Sequence, residues 1–209
     1  MKVISIYSRG FGANTYAVTT DGQHAVVIDP AQPRVYEELE KRGLQAKYVL
    51  LTHCHFDHIG GVSVLQNAGA KVLCTSEEKR LVDTHADLCA YFNAPPADYE
   101  IDETLNDGQT LDLCGMQIRV LLTAGHTKGS ACYLFTSETG DTCLFTGDTL
   151  FRYEVGRTDL PGGDYPTLLQ SLRRLAELDG EYCVLPGHEE ISSLDAERKF
   201  NRYIQEAMR

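Results

Sequence analysis

Five strongly apolar segments of this chain run straight into a carboxylate or an imidazole, and that regularity constrains the fold more than any other feature. AVVI is followed by Asp29, and YVLLT by His53, His55, Asp57 and His58. RVLLTAG leads to His126, TCLFTG to Asp148 and YCVLPG to His188. Such short apolar runs suit strands. Sheets of α/β proteins build ligand sites at the carboxyl ends of their strands. Strands sharing one sheet edge, or two packed edges, would bring all these side chains together.

The remaining pattern agrees with a mixed α/β chain. Strand-like segments recur at Val3–Tyr7, Tyr16–Thr19, Ala25–Ile28, Tyr48–Leu51, Lys71–Cys74, Gln117–Thr123, Ala131–Phe135, Thr142–Phe145 and Tyr182–Leu185. Helical patterns lie between them at Pro33–Arg42, Gly61–Ala68, Ser76–Asp83, Pro166–Leu178 and Leu194–Met208. Ser76 opens its segment as Ser-x-x-Lys, half of a capping box. Leu168, Leu172 and Leu175 fall on one helical stripe. No linker or repeat interrupts the 209 residues, so residues 1–209 read as one domain with helices covering sheet faces. The stretch Leu81–Tyr99, with Tyr91, Phe92, Pro95 and Pro96, fits either a pocket wall or surface cover.

Composition excludes some partners. The formal net charge is -11, which repels phosphates, so neither nucleic acid nor an anionic membrane is expected. The start, MKVISIYS, reads as a first strand and lacks the long apolar run of a signal peptide. Seven cysteines, an odd number with no CxxC spacing, sit mostly in apolar segments. They read as buried thiols of a reducing compartment, the cytoplasm.

The densest cluster is THCHFDHIGG, residues 52–61. Alone it suits a solvated loop, a proton relay or a metal site. His53 and His55 are two apart, so in an extended segment both point the same way. Asp57 and His58 would aim elsewhere as the chain turns into a helix near Ile59. Cys54, between two ligands, would point away. Imidazoles and carboxylates without a thiolate set suit zinc, iron or manganese rather than calcium. Seven candidate ligands exceed one zinc's needs, whereas two ions bridged by Asp148 use them all. Two such ions roughly 3.5–4 Å apart can polarise a carbonyl and hold a hydroxide near neutral pH.

With HxHxDH at His53, His55, Asp57 and His58, Asp29, GHTKGS around His126, TGDTLF around Asp148 and PGHEE around His188, the chain resembles the metallo-beta-lactamase superfamily along nearly its whole length. The resemblance implies a four-layer αββα sandwich with metals at one edge of two packed sheets. It implies that His53, His55 and His126 hold one divalent ion, that Asp57, His58 and His188 hold a second, and that Asp148 bridges them. Asp29 would orient ligands without binding metal, and zinc is the expected metal. FRYEVGRTDLPGGD, residues 151–164, is similar to the loop of short glyoxalase II-like hydrolases (hydroxyacylglutathione hydrolases) and of persulfide dioxygenases. The first group implies attack of a metal-bound hydroxide on the carbonyl of a small thioester or ester, with Asp57 accepting or orienting a proton.

The chain departs from the glutathione-specific pattern in several places. It ends after one helix, without the further helical domain of full-length glyoxalase II. Glu190 and Asp159 stand where that group has tyrosines, and Lys128 where proline is common. Arg157 and Lys128 are the candidate substrate contacts, with a loop anchor and an exposed turn as their plainer roles. Asp159 would pair with Arg157 or Arg152. A persulfide dioxygenase would use one iron, and it carries a cysteine where this chain has Val155. A metal-binding protein without catalysis is the third reading. His24 reads as a surface residue and His85 as structural.

Overall fold

The computed structural model describes residues 1–8, 10, 12–82, 84–96 and 98–209, and for His85 the backbone alone. Two sheets of six strands each form among these residues. The first half of the chain builds one sheet. Its elements are β1 (Lys2–Ile6), β2 (Thr15–Thr19), β3 (His24–Ile28), α1 (Val35–Glu40), β4 (Gln45–Leu50), α2 (Phe56–Ile59), α3 (Val62–Asn67), β5 (Lys71–Thr75), α4 (Ser76–Lys79) and β6 (Glu103–Leu105). These strands lie side by side in sequence order. β1 to β3 pair antiparallel, and β3 to β6 run parallel.

The second half builds the other sheet. It comprises β7 (Thr110–Leu113), β8 (Met116–Leu122), β9 (Ala131–Ser137), β10 (Thr142–Gly147), α5 (Tyr165–Ala176), β11 (Cys183–Pro186), β12 (Ser192–Ser193), α6 (Leu194–Phe200) and α7 (Arg202–Ala207). β8 and β10 are each antiparallel to β9, and β11 is parallel to β10. β8, β10 and β11 therefore share a direction, as β3 and β4 do in the first sheet.

Alternation along the strands divides the interior into three apolar layers. Val26, Ile28 and Leu50 meet Ile118, Tyr133 and Phe145 between the sheets. Val27 and Val49 point the other way, against Val35 and Leu39 of α1 and Leu65 of α3. Leu144 and Val184 point outward against Leu168, Leu172 and Leu175 of α5. Burying each such leucine contributes about 1.5–3 kcal/mol. The order is thus helix, sheet, sheet, helix, the αββα sandwich that the sequence resemblance implied. Period-two strands carry apolar residues on both faces here because each sheet is covered on both sides.

Several expectations need correction. The single helix expected over Leu194–Met208 is two, because Asn201 leaves helical geometry (ψ 113°) and its side chain caps the next helix through the Tyr203 and Ile204 amides. α2 begins at Phe56 rather than near Ile59, so Asp57 and His58 lie inside a helical turn. The cap of α4 is Thr75, whose hydroxyl accepts from the Glu78 amide, so Thr-x-x-Glu replaces the expected Ser-x-x-Lys. α4 is described to Lys79, and Asp83, at the end of the expected helix, lies outside the described residues. The structure adds three strands, β6, β7 and β12, all short edge strands rich in polar residues. Five of the seven cysteines are buried, but Cys114 is half-buried and Cys183 exposed. No helix among the described residues is long and apolar enough to cross a membrane.

Candidate metal centre

The five strand ends converge on one edge of the sandwich. Asp29 leaves β3 with φ 47°, a left-handed conformation that few non-glycine residues adopt. That turn sends its buried carboxylate across to the end of β4, where it accepts from the Thr52 amide at 2.8 Å and the Thr52 hydroxyl at 2.6 Å. It also faces His58 Nδ1 at 2.9 Å. The remaining His58 nitrogen, Nε2, is thereby aimed at the cluster, the role that a ligand-orienting carboxylate plays. Thr52, unremarked in sequence, is the link that ties two strand ends together.

Ligand atoms of His53, His55 and His126 lie within 4.8 Å of one another, as do those of Asp57, His58 and His188, and those of His53, His58 and Asp148. Asp148 stands between the groups. Its Oδ1 is 3.3 Å from His58 Nε2, and its Oδ2 lies 3.5 Å from His126 Nε2 and 3.6 Å from His188 Nε2. His188 Nε2 is 3.1 Å from Asp57 Oδ2. His126 is oriented by a contact of its Nδ1 with the Arg157 carbonyl at 2.7 Å. Cys54 is fully buried in the outer apolar layer, as its alternation required.

The residues fit a divalent cation. The Nε2 atoms of His53, His55 and His58 and Oδ1 of Asp148 are buried without a hydrogen-bond partner. Orphaned buried polar atoms are rare and costly. Here four face one small volume, and a cation would satisfy them. A nitrogen and carboxylate donor set is the one that zinc, iron and manganese accept.

Electrostatics separate the two groups. Burial, reinforced by the neighbouring imidazoles, holds His53 well below its ordinary value, and burial with His126 lowers His55 to about 3. Burial would lower His58 too, but Asp148, Asp29 and Asp57 outweigh it and hold the imidazole well above its ordinary value. His188 is likewise raised against burial, chiefly by Asp57 and Asp148. Asp148 is buried, yet His58, His126 and His188 keep it ionised.

Two glycines permit this density. A Cβ on Gly187 would stand 2.3 Å from Asp148 Oδ1 and 2.8 Å from His58 Cε1, and one on Gly156 would stand 1.8 Å from the Asp148 carbonyl oxygen. Only glycine lets those backbones approach so closely.

A cleft of about 620 Å³ opens over the cluster. Phe56, Leu88, Phe92, Phe151, Val155 and Leu160 line it beside His55, Asp57, His126, Asp148 and His188. Leu88 and Phe92 come from the 81–99 stretch, which therefore walls the pocket, with Phe92 stacked on Phe56 at 4.7 Å between centroids. Arg157 also lines the cleft. Its guanidinium grips both oxygens of Asp159, each at 2.6 Å, and this contact holds the Asp159 carboxyl down at about 2. Arg152 pairs with Glu190. Lys128 is exposed and is not among the residues lining the cleft. His24 is at the surface, 2.7 Å from Asp21, whereas the His85 side chain lies outside the described residues.

Residues 8–188 match the family model of the metallo-beta-lactamase superfamily. The chain belongs to that superfamily. It is 31% identical over 211 residues to the hydroxyacylglutathione hydrolase GloC of Haemophilus influenzae, covering 98% of each chain. Among solved structures it is similar to the BLEG-1 B3 metallo-beta-lactamase, with TM-score 0.88 and 27% identity over 97% of this chain and 99% of that one. It is also similar to TTHA1623 in a di-iron-bound form, with TM-score 0.82 and 32% identity over 96% of this chain and 99% of that one. Superfamily membership and the histidine–aspartate cluster together make this a metal-dependent hydrolase fold whose cluster suits divalent metal.

Proposed function

We propose that this chain is a two-metal thioester hydrolase of the glyoxalase II type, acting on a small-molecule thioester or ester in the cytoplasm. The observation that carries the reading is the convergence of seven ligand-type side chains, four of their buried atoms orphaned, beneath an open cleft. The likeness to a hydroxyacylglutathione hydrolase along the whole chain supports the thioester over other hydrolysable bonds. His53, His55 and His126 would hold one ion, and Asp57, His58 and His188 the other. Asp148 would be shared between them, and zinc is the metal we assign.

Divalent cations bound there supply Lewis acidity toward a carbonyl oxygen and lower the pKa of water to near neutrality. The chain supplies the rest. Asp57 faces the cleft as a carboxylate, held down by His58 and His188 against the effect of burial, so it can take or orient the proton of an attacking water. The apolar wall of Leu88, Phe92, Phe151 and Leu160 receives the apolar part of the substrate and thins the water around the scissile carbonyl. Asp29 fixes the His58 ring. Arg157 and, for a longer substrate, Lys128 are the cations we assign to a substrate carboxylate; the Asp159 fork leaves Arg157 partly neutralised.

The test is elemental analysis of the purified chain followed by hydrolysis assays on glutathione and other thioesters. Two equivalents of metal and turnover lost in His58→Ala are expected. Metal-free protein, or two metals without hydrolysis of any thioester or ester, would sink the reading. One equivalent of iron with oxygen uptake on glutathione persulfide would replace it with a dioxygenase.

A further inference from the structure

The loops that carry His53, His55 and His126 belong to no strand or helix, so no ladder of backbone hydrogen bonds fixes them. A second buried carboxylate, distinct from Asp29, joins them from behind. Glu78 lies on α4 and is only 1% exposed. Its Oε1 accepts from the amide of Cys54, the residue between His53 and His55, at 2.8 Å. Its Oε2 accepts from the hydroxyl of Thr127, the residue after His126, at 2.7 Å. As the third residue beyond the Thr75 cap, a glutamate would ordinarily reach back to its own helix start. Here both oxygens reach outward to the two loops.

The surroundings are built for that contact. The Thr75 hydroxyl donates to the Gly129 carbonyl at 2.7 Å, clamping the His126 loop to the same helix end. A Cβ on Gly129 would stand 2.3 Å from the Glu78 amide nitrogen and 2.7 Å from its Oε2, so the loop can close over the carboxylate only with glycine there. Burial pushes the Glu78 carboxyl up to about 7 against the hydrogen bonds from Cys54, Thr127 and Gly129. A group kept at that desolvation cost commonly has a role in a site rather than in bulk stability.

We propose that Glu78 is a positioning residue that staples the His53–His55 loop to the His126 loop and so sets the spacing of that triad, leaving the Asp57–His58–His188 group to Asp29. The inference rests on reading the triad as a metal site. A staple of this kind acts through ligand placement, and losing such a partner typically weakens metal binding about 10–100-fold.

The probe is Zn²⁺ alone, titrated into the metal-stripped full chain against a chromophoric chelator. The H188A background keeps the triad intact, and the H126A background keeps the other group. Glu78→Ala should weaken Zn²⁺ binding about 10–100-fold in the first and change it by no more than about twofold in the second. Glu78→Gln should recover part of the loss, since an amide offers one acceptor oxygen where the carboxylate takes bonds from Cys54, Thr127 and Gly129. Its amide oxygen can accept from Cys54 and its amide nitrogen can donate to Thr127, whose hydroxyl then turns to Ser130 Oγ, 2.7 Å away.

Equal weakening in both backgrounds, no weakening in the first, or a glutamine variant no better than alanine would overturn the proposal. Where Glu78→Ala does not fold by circular dichroism, Thr127→Val severs one arm alone. The same asymmetry is expected of it, and symmetric or absent loss rejects the staple. An H188A chain that takes up no Zn²⁺ would defeat the metal reading and the staple with it. That outcome is distinct from ordinary uptake indifferent to Glu78.

Discussion

The two halves of the cluster are made of similar residues in unlike surroundings. His53, His55 and His126 are all buried, their rings packed edge to face at 4.6–4.8 Å. In the other group only His58 is buried, while Asp57 and His188 stay partly open to the cleft. Burial withholds protons from His53 and His55, and the carboxylates Asp148, Asp29 and Asp57 retain them on His58. On the closed side, His53 and His55 are kept neutral, ready for a cation before one arrives. An open, charged set must exchange protons to accept one, and it faces the place where substrate would sit.

The largest way to break this comparison is to remove what the halves share. Asp148→Ala removes the carboxylate that stands between the groups and takes from His58 Nε2 its acidic neighbour at 3.3 Å. It should abolish hydrolysis and lower total metal content, a loss well beyond the roughly 100-fold upper range for ligand-orienting partners. Metal analysis and turnover measured on the same sample check it. A variant that keeps two metals would remove Asp148 from the bridging position.

Asp29→Asn is expected to cost about 10–100-fold in metal affinity, concentrated in the open group, because Asp29 faces His58 Nδ1 at 2.9 Å. Chelator competition in the H126A and H188A backgrounds resolves the two halves. An equal cost in both would show that Asp29 acts through Thr52 and the strand ends instead.

Proton linkage sharpens the comparison further. His58 and His188 are held above the ordinary imidazole value in the metal-free chain, so each must lose a proton before it can ligate. Zn²⁺ affinity of the open group should therefore rise from about pH 6 to about pH 8, with proton release seen by calorimetry in buffers of different ionisation enthalpy. His53 and His55 are lowered and already neutral over that range. The buried triad's affinity should change less, and a steeper rise there would contradict the assignment of charge.

The smallest effect lies at the cleft rim. Arg157 and Asp159 are more than half exposed, and exposed ion pairs are screened by solvent and contribute little. Asp159→Asn frees the guanidinium, so KM for a carboxylate-bearing thioester should fall by less than about tenfold with kcat unchanged. Arg157→Ala should raise it. A KM indifferent to both variants would make the pair a loop anchor and nothing more.

The chemistry of this protein was legible in its sequence because it is written locally. An apolar run followed by histidine or aspartate places a candidate ligand at a strand end, whatever the strand's neighbours are, and five such runs converge if their strands share an edge. Burial on both faces of each sheet was implied by the same runs. Edge strands leave little local signal, since β6 and β12 are too short and polar to differ from loops. The break at Asn201 depended on its amide reaching the Glu154 carbonyl, 47 positions away.

Partnership across the sheets was decided by the tertiary structure alone. Sequence could nominate Asp29 but not its grip on Thr52, and it offered Leu81–Tyr99 as wall or cover without choosing. Nothing in the local sequence sets Glu78 apart from the chain's other acids. Whether a carboxylate meets water or two loop groups 24 and 49 positions distant is fixed by packing. Residue types and their order determined which atoms could bind a metal. Only the folded layers determined which of those atoms are buried, which keep a proton, and what holds them in place.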